Sequence, residues 1–356
     1  ASCLVGSEMC IRDRDIEAHG TVIVKADTLI GTAISDENGK AVFTQDLPFG
    51  EYYIKELAAP NGYVSSDEVI EVKAEYQGQE VKVVQVASVF KNQPTKIEVS
   101  KSDLTTGVEL SGATLTVLDK DGNVVDTWKS VKGEKHLIER LAVGETYTLR
   151  EELAPYGYLK AEEITFTIED TGEIQKVEMK DDVPTGTILI NKNGEFLDKV
   201  TPLDSVGGWV SHLFQYVTGN LKDVTFEVYA LEDVKAADGE SEDYYKKDEL
   251  VATITADDTG VAKVSGLPLG KYYVKEKATV DGFVLDDKAR KIDLTYRDQD
   301  TAEVTYSADW QNNRQKVKVN VLKKEKDTGR VLKGGIFGLY TRNDIPVSYT
   351  HLTLPT

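Results

Sequence analysis

The chain is poor in the residues that staple, ligate or span. It has two cysteines in 356 residues, Cys3 and Cys10, and none after that, so disulfides cannot hold it together. Its four histidines (His19, His136, His212 and His351) show no metal-ligand spacing. No glycine-rich phosphate loop and no nucleophile elbow is present, which leaves neither a cofactor nor a metal to expect. No apolar run approaches the ~18 residues a membrane helix needs. Cations are outnumbered, 42 against 61 acids, for a net charge of −19. That balance argues against nucleic acid or an anionic membrane surface as partner. Helical periodicity is nearly absent; the one candidate for an amphipathic helix is Asp204–Tyr216, "DSVGGWVSHLFQY".

Both ends are anomalous. ATGTGTATAAGAGAC encodes "MCIRD", Met9 to Asp13, and its reverse complement encodes "VSYTH", Val347 to His351. Peptides from opposite strands of one DNA segment resemble a translated sequencing adapter. Residues 1–14 and 347–356 are therefore read as adapter-derived and left out of fold reasoning. On that reading the closing "LPT" is no sorting signal, and a missing leader or anchor carries no meaning. The charge does not change, since Glu8 and Asp13 balance Arg12 and Arg14. About 330 residues then remain, enough for two to three domains.

What the chain has in quantity is repetition. "EYYIKELAAPNGY" (51–63), "ETYTLREELAPYGY" (145–158) and "KYYVKEKATVDGF" (271–283) each follow a Leu-x-x-Gly turn. "VSKSDLTTG" (99–107) returns as "VLKKEKDTG" (321–329), with a divergent copy at Ile190. A period of roughly 90–130 residues means tandem domains, because solenoid repeats are shorter. Within each repeat "KIEVSK", "TLTVLD", "TYTLRE", "ITFTIE", "TFEVYA" and "KVKVNVLK" alternate apolar and polar, as half-buried strands do. Asn38-Gly39, Asp121-Gly122 and Asp258-Thr259-Gly260 mark the turns between them. "DKDGN" at 119–123 reads as one more hairpin turn and lacks the ligand spacing of a calcium loop. The expected fold is all-β, tandem antiparallel β-sandwiches, with boundaries near Pro94, Pro184 and Gln315.

The informative residues are charged ones on apolar faces. Strand side chains alternate with period two, so Ile97, Val99 and Lys101 share a face, as do Ile188, Ile190 and Lys192, and Val317, Val319, Val321 and Lys323. Acids repeat the pattern: Tyr52, Ile54 and Glu56; Tyr147, Leu149 and Glu151; Tyr272, Val274 and Glu276. The last strands end Phe90/Asn92, Met179/Asp181 and Trp310/Asn312. Lys and Glu are seldom buried unless paired. Three readings fit: a buried ion pair beside a bystander amide, strand ends bathed in solvent, or chemistry. In the third, a desolvated lysine becomes a neutral nucleophile, attacks the side-chain carbonyl of Asn or Asp, and a desolvated Glu shuttles protons. Ammonia or water leaves, and an isopeptide bond remains. The event runs once per molecule and is not enzyme turnover.

The "YxLxExxAPxGY" stretch, the opening "VxKxDxxTG" and the last-strand Asn resemble the Cna B-type (SpaA-like) domains of Gram-positive surface adhesins and pilins, over essentially all of residues 15–346. The resemblance implies transthyretin-like sandwiches with Lys–Asn or Lys–Asp isopeptide bonds and a catalytic Glu. It places domains at 15–94, 95–184 and 185–315, the last with an insertion near 195–222, and the start of a fourth at 316–346. In the second domain it implies Lys101, Glu151 and Asp181, with Asp182 as alternative acceptor. In the third it implies Lys192, Glu276 and Asn312, with Asn313 as alternative, although "KEKATVDGF" departs from the family's Ala-Pro-x-Gly-Tyr. The first domain offers Glu56 and Asn92 but no opening lysine strand; Lys25 aligns with a second strand instead. The fourth offers Lys323 alone. The implied protein is an extracellular, wall-attached adhesin or stalk that meets peptidoglycan and any host ligand through other segments. A sortase-assembled pilin subunit and the accessory modules of a secreted enzyme are the rival readings; no Tyr-Pro-Lys pilin motif is present.

Overall fold

A computed structural model describes residues 7–11, 15–18, 21–204 and 210–342; Trp209 of the aromatic insert and residues 343–356 fall outside it. The chain divides into two units, Ala1–Asp182 and Val183–Thr356. Strands and turns make up the described residues, with no helix among them.

The first domain contains β1 (Ser7–Ile11), β2 (Ile16–Ala18), β3 (Thr21–Val24), β4 (Leu29–Ala33), β5 (Gly50–Glu56) and β6 (Val69–Ala74). Four of these form an antiparallel sheet in the order β4-β1-β5-β6, and β2 pairs with β3 apart from it. Ser7–Ile11, set outside the fold by its adapter likeness, lies between β4 and β5. Lys25 was expected on a second strand; Thr21–Val24 pairs with β2 and Lys25 lies exposed just past its end. A slot between two strands demands backbone partners more than particular side chains. This domain's apolar core is too small to enforce a choice: it centres on Tyr52 and Val72, with Ile30, Phe43, Leu47 and Ile54 half-buried around them. The expected last strand through Phe90 and Asn92 is also absent. In the other two domains that strand pairs only with the opening strand, and no such partner stands beside residues 85–93.

The second domain is a complete sandwich of β7 (Lys96–Asp103), β8 (Thr114–Leu118), β9 (Val124–Lys129), β10 (His136–Glu139), β11 (Thr146–Leu153), β12 (Ile164–Thr167) and β13 (Gln175–Asp181). One sheet runs β10-β7-β13 and the other β12-β11-β8-β9. All pairings are antiparallel except β7 with β13, first with last, which is parallel. Ile97, Val99, Leu115, Val117, Leu149 and Met179 fill the space between the sheets.

In the second unit the third domain comprises β14 (Thr185–Asp204), β15 (Val210–Asn220), β16 (Thr225–Ala230), β17 (Leu250–Thr255), β18 (Val261–Pro268), β19 (Gly270–Ala278), β20 (Arg290–Leu294) and β21 (Glu303–Asn312). The plan repeats: β17-β16-β19-β20 faces a sheet in which β14 pairs antiparallel with β18 and parallel with β21. Ile188, Ile190, Phe226, Val228, Tyr272, Val274 and Trp310 form its core. Past Gly194, β14 continues beyond the sandwich and pairs with β15 as a long hairpin. The described part of the insert, the one candidate for a helix, is thus β-structure. Its residues find cross-strand partners such as Val200–Phe214 and Thr201–Leu213, and its aromatic and β-branched side chains suit a pleated ribbon.

The Leu-x-x-Gly turns are locked by the following tyrosine. Tyr52 and Tyr272 donate their hydroxyls to the carbonyls of Pro48 and Pro268, at 2.7 and 2.5 Å. In the second domain Ala142 replaces the proline, so it has an N–H, and it donates that to the Tyr147 hydroxyl at 3.1 Å. "DKDGN" is a hairpin turn in which Asp119 Oδ1 accepts from the backbone of Asp121 and Asn123.

The stretch 316–323, expected as the opening strand of a fourth domain, is not a strand: Val317, Val319 and Val321 are exposed. Its backbone has no neighbouring strand among the described residues, and a strand's hydrogen bonds must go to a neighbour. Only the following turn forms, with Gly329 N donating to Glu325 O and Leu332 N to Lys323 O.

Candidate functional site

Each complete domain brings three elements to one point inside the sandwich. In the second, β7 presents Lys101 and the parallel β13 places Met179 opposite it and Asp181 two residues further on. Across the core, β11 contributes Glu151, paired in register with Leu115. In the third, β14 presents Lys192, β21 puts Trp310 opposite and Asn312 two further, and β19 brings Glu276 over Phe226. The lysine-to-acceptor offset is the same in both.

The solvated-strand-end reading does not survive the burial. Relative exposures are 4 % for Lys101, 0 % for Glu151 and Asp181, 1 % for Lys192 and Asn312, and 4 % for Glu276. Asp182 and Asn313, the alternative acceptors, are exposed on the outer face; their carbonyls take the N–H of Leu159 and Val284.

In the third domain the groups close a triangle. Lys192 Nζ donates to Asn312 Oδ1 at 2.6 Å and to Glu276 Oε2 at 2.8 Å, and Asn312 Nδ2 donates to Glu276 Oε1 at 2.5 Å. A fourth group completes it: Thr279 Oγ1 accepts the other Nδ2 hydrogen at 2.9 Å. Burial pulls the Lys192 pKa below its usual value, against the opposing pull of Glu276. The amine lies 5.7 Å from the Phe226 ring centre, and Phe226 in turn packs edge-on against Trp310.

In the second domain Lys101 Nζ donates to Asp181 Oδ1 and lies 3.0 Å from Glu151 Oε1. Glu151 Oε2 accepts from Ala161 N at 2.8 Å. Asp181 Oδ2 has no hydrogen-bond partner, and Glu151 Oε1 has none besides its ion pair with Lys101. A buried carboxylate oxygen left without a partner, in a group that also holds a second carboxylate, calls for a proton. Burial above all raises the Asp181 pKa; Lys101 opposes, and Glu151 pushes it further, to about 7. Protonated, Asp181 becomes a donor facing an acceptor.

The first domain assembles half of this. Asn92 Nδ2 donates to Glu56 Oε2 at 2.6 Å and to Val64 O at 3.0 Å, and Ser66 N caps the same Glu oxygen at 2.9 Å. That cap is the counterpart of Ala161 on Glu151, ten residues on. Lys25 is exposed and makes no contact with this pair. Lys323 is also exposed, with no acid or amide brought to it among the described residues.

Sequence reasoning missed Thr279. It stands three residues after Glu276, which alternation assigns to the opposite face. A β-bulge at the end of β19, where Phe226 pairs with Glu276 but Thr225 with Ala278, restores it to the same side. β11 has the same irregularity between Glu151 and Leu153.

Sandwiches of this build, closed by a parallel pairing of first and last strands and repeated in tandem, define a class of prealbumin-like modules. The sequence matches the SpaA prealbumin-like fold domain at residues 2–87, 95–183 and 215–310, and the chain belongs to that family. Among solved structures, the Bacillus anthracis TIE protein aligns with a TM-score of 0.50 and 22 % identity, over 87 % of this chain and 48 % of that one. The chain therefore spans about half of that relative's length. The major pilin subunit BcpA of Bacillus cereus aligns at TM-score 0.37 and 16 % identity, over 88 % of this chain and 96 % of that one. The minor pilin GBS52 of Streptococcus agalactiae aligns at 0.26 and 14 %, over 64 % and 100 %. No curated protein matches.

Proposed function

We propose that this chain is a stretch of a Gram-positive surface stalk or adhesin whose second and third domains cross-link themselves, Lys101 to Asp181 and Lys192 to Asn312. The observation that carries the reading is the closed triangle of Lys192, Glu276 and Asn312 in a buried core. Glu276 touches the amine with one oxygen and the amide nitrogen with the other. It takes a proton from Lys192 through Oε2. The neutral amine adds to the amide carbon, the C–N bond breaks, and Glu276 returns a proton to the leaving nitrogen from Oε1. The lysine nitrogen of the adduct gives its second proton to the carboxylate so regenerated, so ammonium-form Lys192, carboxylate Glu276 and the amide become a secondary amide, ammonia and protonated Glu276, and the departing ammonia takes up that last proton as ammonium. In the second domain Glu151 plays the same part, and protonated Asp181 loses its hydroxyl as water. Proximity supplies a large share of the barrier reduction, about 7–11 kcal/mol for well-aligned groups. A closed loop of about 80 residues also stabilises by about 4–5 kcal/mol in the chain-entropy model.

The domains then act as spacers that bear tension. The opposing reading is a permanent buried ion pair. Intact mass decides: the cross-linked chain is lighter than its sequence by one water and one ammonia. Glu151→Ala should restore the water and Glu276→Ala the ammonia. An unshifted mass in the unmodified chain would leave only the ion pair.

A further inference from the structure

Asn312 Nδ2 carries two hydrogens, and the cross-linking chemistry uses only the contact with Glu276. The second goes to Thr279 Oγ1 at 2.9 Å, from a half-buried residue placed there by the bulge that ends β19. The equivalent position is Ala154 in the second domain, where the acceptor is Asp181, and Ala59 in the first, where Val64 O holds the Asn92 amide instead. We infer that Thr279 is a positioning residue for the leaving nitrogen in the third domain, and that a hydroxyl three residues after the glutamate fits this site to shed ammonia.

The reason is geometric. Before reaction the amide nitrogen is planar and its lone pair is delocalised. After Lys192 adds to the carbon, the nitrogen becomes a pyramidal amine and has to collect a proton before it departs. With one N–H tied to Thr279, the freed lone pair is turned toward Glu276 Oε1, the proton source. Without that tether the amine rotates about the C–N bond and presents the lone pair elsewhere for part of the time. An acid acceptor loses a hydroxyl, which has its own lone pairs in several directions, and Ala154 suffices there.

The inference rests on the cross-link reading, and the test separates the two. The full chain is made by cell-free synthesis and its mass followed in time for wild type, Thr279→Val, Thr279→Ala and Thr279→Ser. Removing one neutral hydrogen bond to the reacting atom should slow ammonia loss about tenfold in the Val and Ala variants. Ser should restore the rate to within about twofold, whereas a packing role for the Thr methyl would leave Ser as slow as Ala. Water loss from the second domain runs in the same molecules and should be unchanged, which controls for synthesis and folding. Ammonia loss at the wild-type rate in both Val and Ala, or no rescue by Ser, overturns the role of Thr279 alone. A wild-type chain that never sheds ammonia overturns the cross-link reading and this inference with it.

Discussion

Asp181 and Asn312 occupy equivalent places in two sandwiches, yet only one of them titrates. Water loss needs protonated Asp181, whose carboxyl is raised from 3.8 to about 7. Above that pH the group of Lys101, Glu151 and Asp181 loses the proton that the reaction uses. Water loss should therefore fall about tenfold per pH unit above about 7. Ammonia loss should continue over the same range, because Asn312 carries no titrating proton and burial already pulls the Lys192 amine toward its neutral, nucleophilic form. Time-resolved mass at a series of pH values reads both in one sample; parallel profiles would refute the assignment. The stability argument has the same sign. A carboxyl with a raised folded pKa binds more protons folded than unfolded, so its contribution is full below about 4 and is lost as pH rises through about 7. Lys101→Met cannot cross-link, and it also removes the ammonium that pulls Asp181 down. Its second domain should melt higher below about pH 6 than above about pH 8.

At the scale of elements, the lysine strand depends on the turn that supports it. Gly260 has φ +78°, and a Cβ there would stand 2.7 Å from Lys192 O. The Lys192 N–H also donates to Gly260 O, at 2.7 Å. Gly260→Ala should cost about 1–3 kcal/mol and slow ammonia loss while leaving water loss alone; calorimetry and mass measure the two effects. The β14–β15 hairpin is the opposite case. Its outer pairs face only each other, and Val210, Leu213 and Phe214 are exposed. At the root, Phe196 packs on Phe283 and Arg314 lies over Tyr216. Replacing 199–215 with a two-residue turn should leave the cross-link and, to within about 1 kcal/mol, the melting of the third domain unchanged; loss of the cross-link would make the hairpin part of the core. How legible these elements were in sequence depended on how local their determinants are. Alternation exposed β7, β8, β11, β14 and β19, together with the inward lysines and glutamates, because period two is a property of a few neighbouring residues. It could not show the parallel pairing of β7 with β13 or β14 with β21, whose partners lie far apart in the chain. Nor could it show the bulge that turns Thr279 inward, since a bulge breaks the very period being read. The valines of 316–323 alternate as well as any strand, but a pattern supplies no neighbour.

At the scale of the molecule, the domains differ in how completely they are closed. Within the first unit the "APNGY" loop meets the next domain directly. Thr95 N donates to Gly62 O at 3.0 Å, Thr95 Oγ1 to Leu141 O at 2.7 Å, and Arg140 N to Thr95 O at 3.1 Å. Gly62 has φ +86°, and a Cβ there would stand 2.6 Å from Arg140 O, so the loop reaches this close only as glycine. The first domain has that junction but a small core and no lysine at Asn92. Hydrogen exchange should find residues 21–92 and 316–342 least protected, and peptide mapping should recover Asn92 as a free amide. A Lys25–Asn92 peptide would contradict the exposed position of Lys25. The parallel pairing of first and last strands has a final consequence. Lys101 and Asp181 are 80 residues apart in sequence, and Lys192 and Asn312 are 120 apart. At roughly 3.4 Å per residue these spans hold about 270 and 400 Å of contour length. Once the side chains are joined, that length cannot be paid out when the ends are drawn apart, so the chain behaves as a short, inextensible tether. In a chain so joined, a protease that cuts any loop inside either span would open the backbone there without parting the two ends.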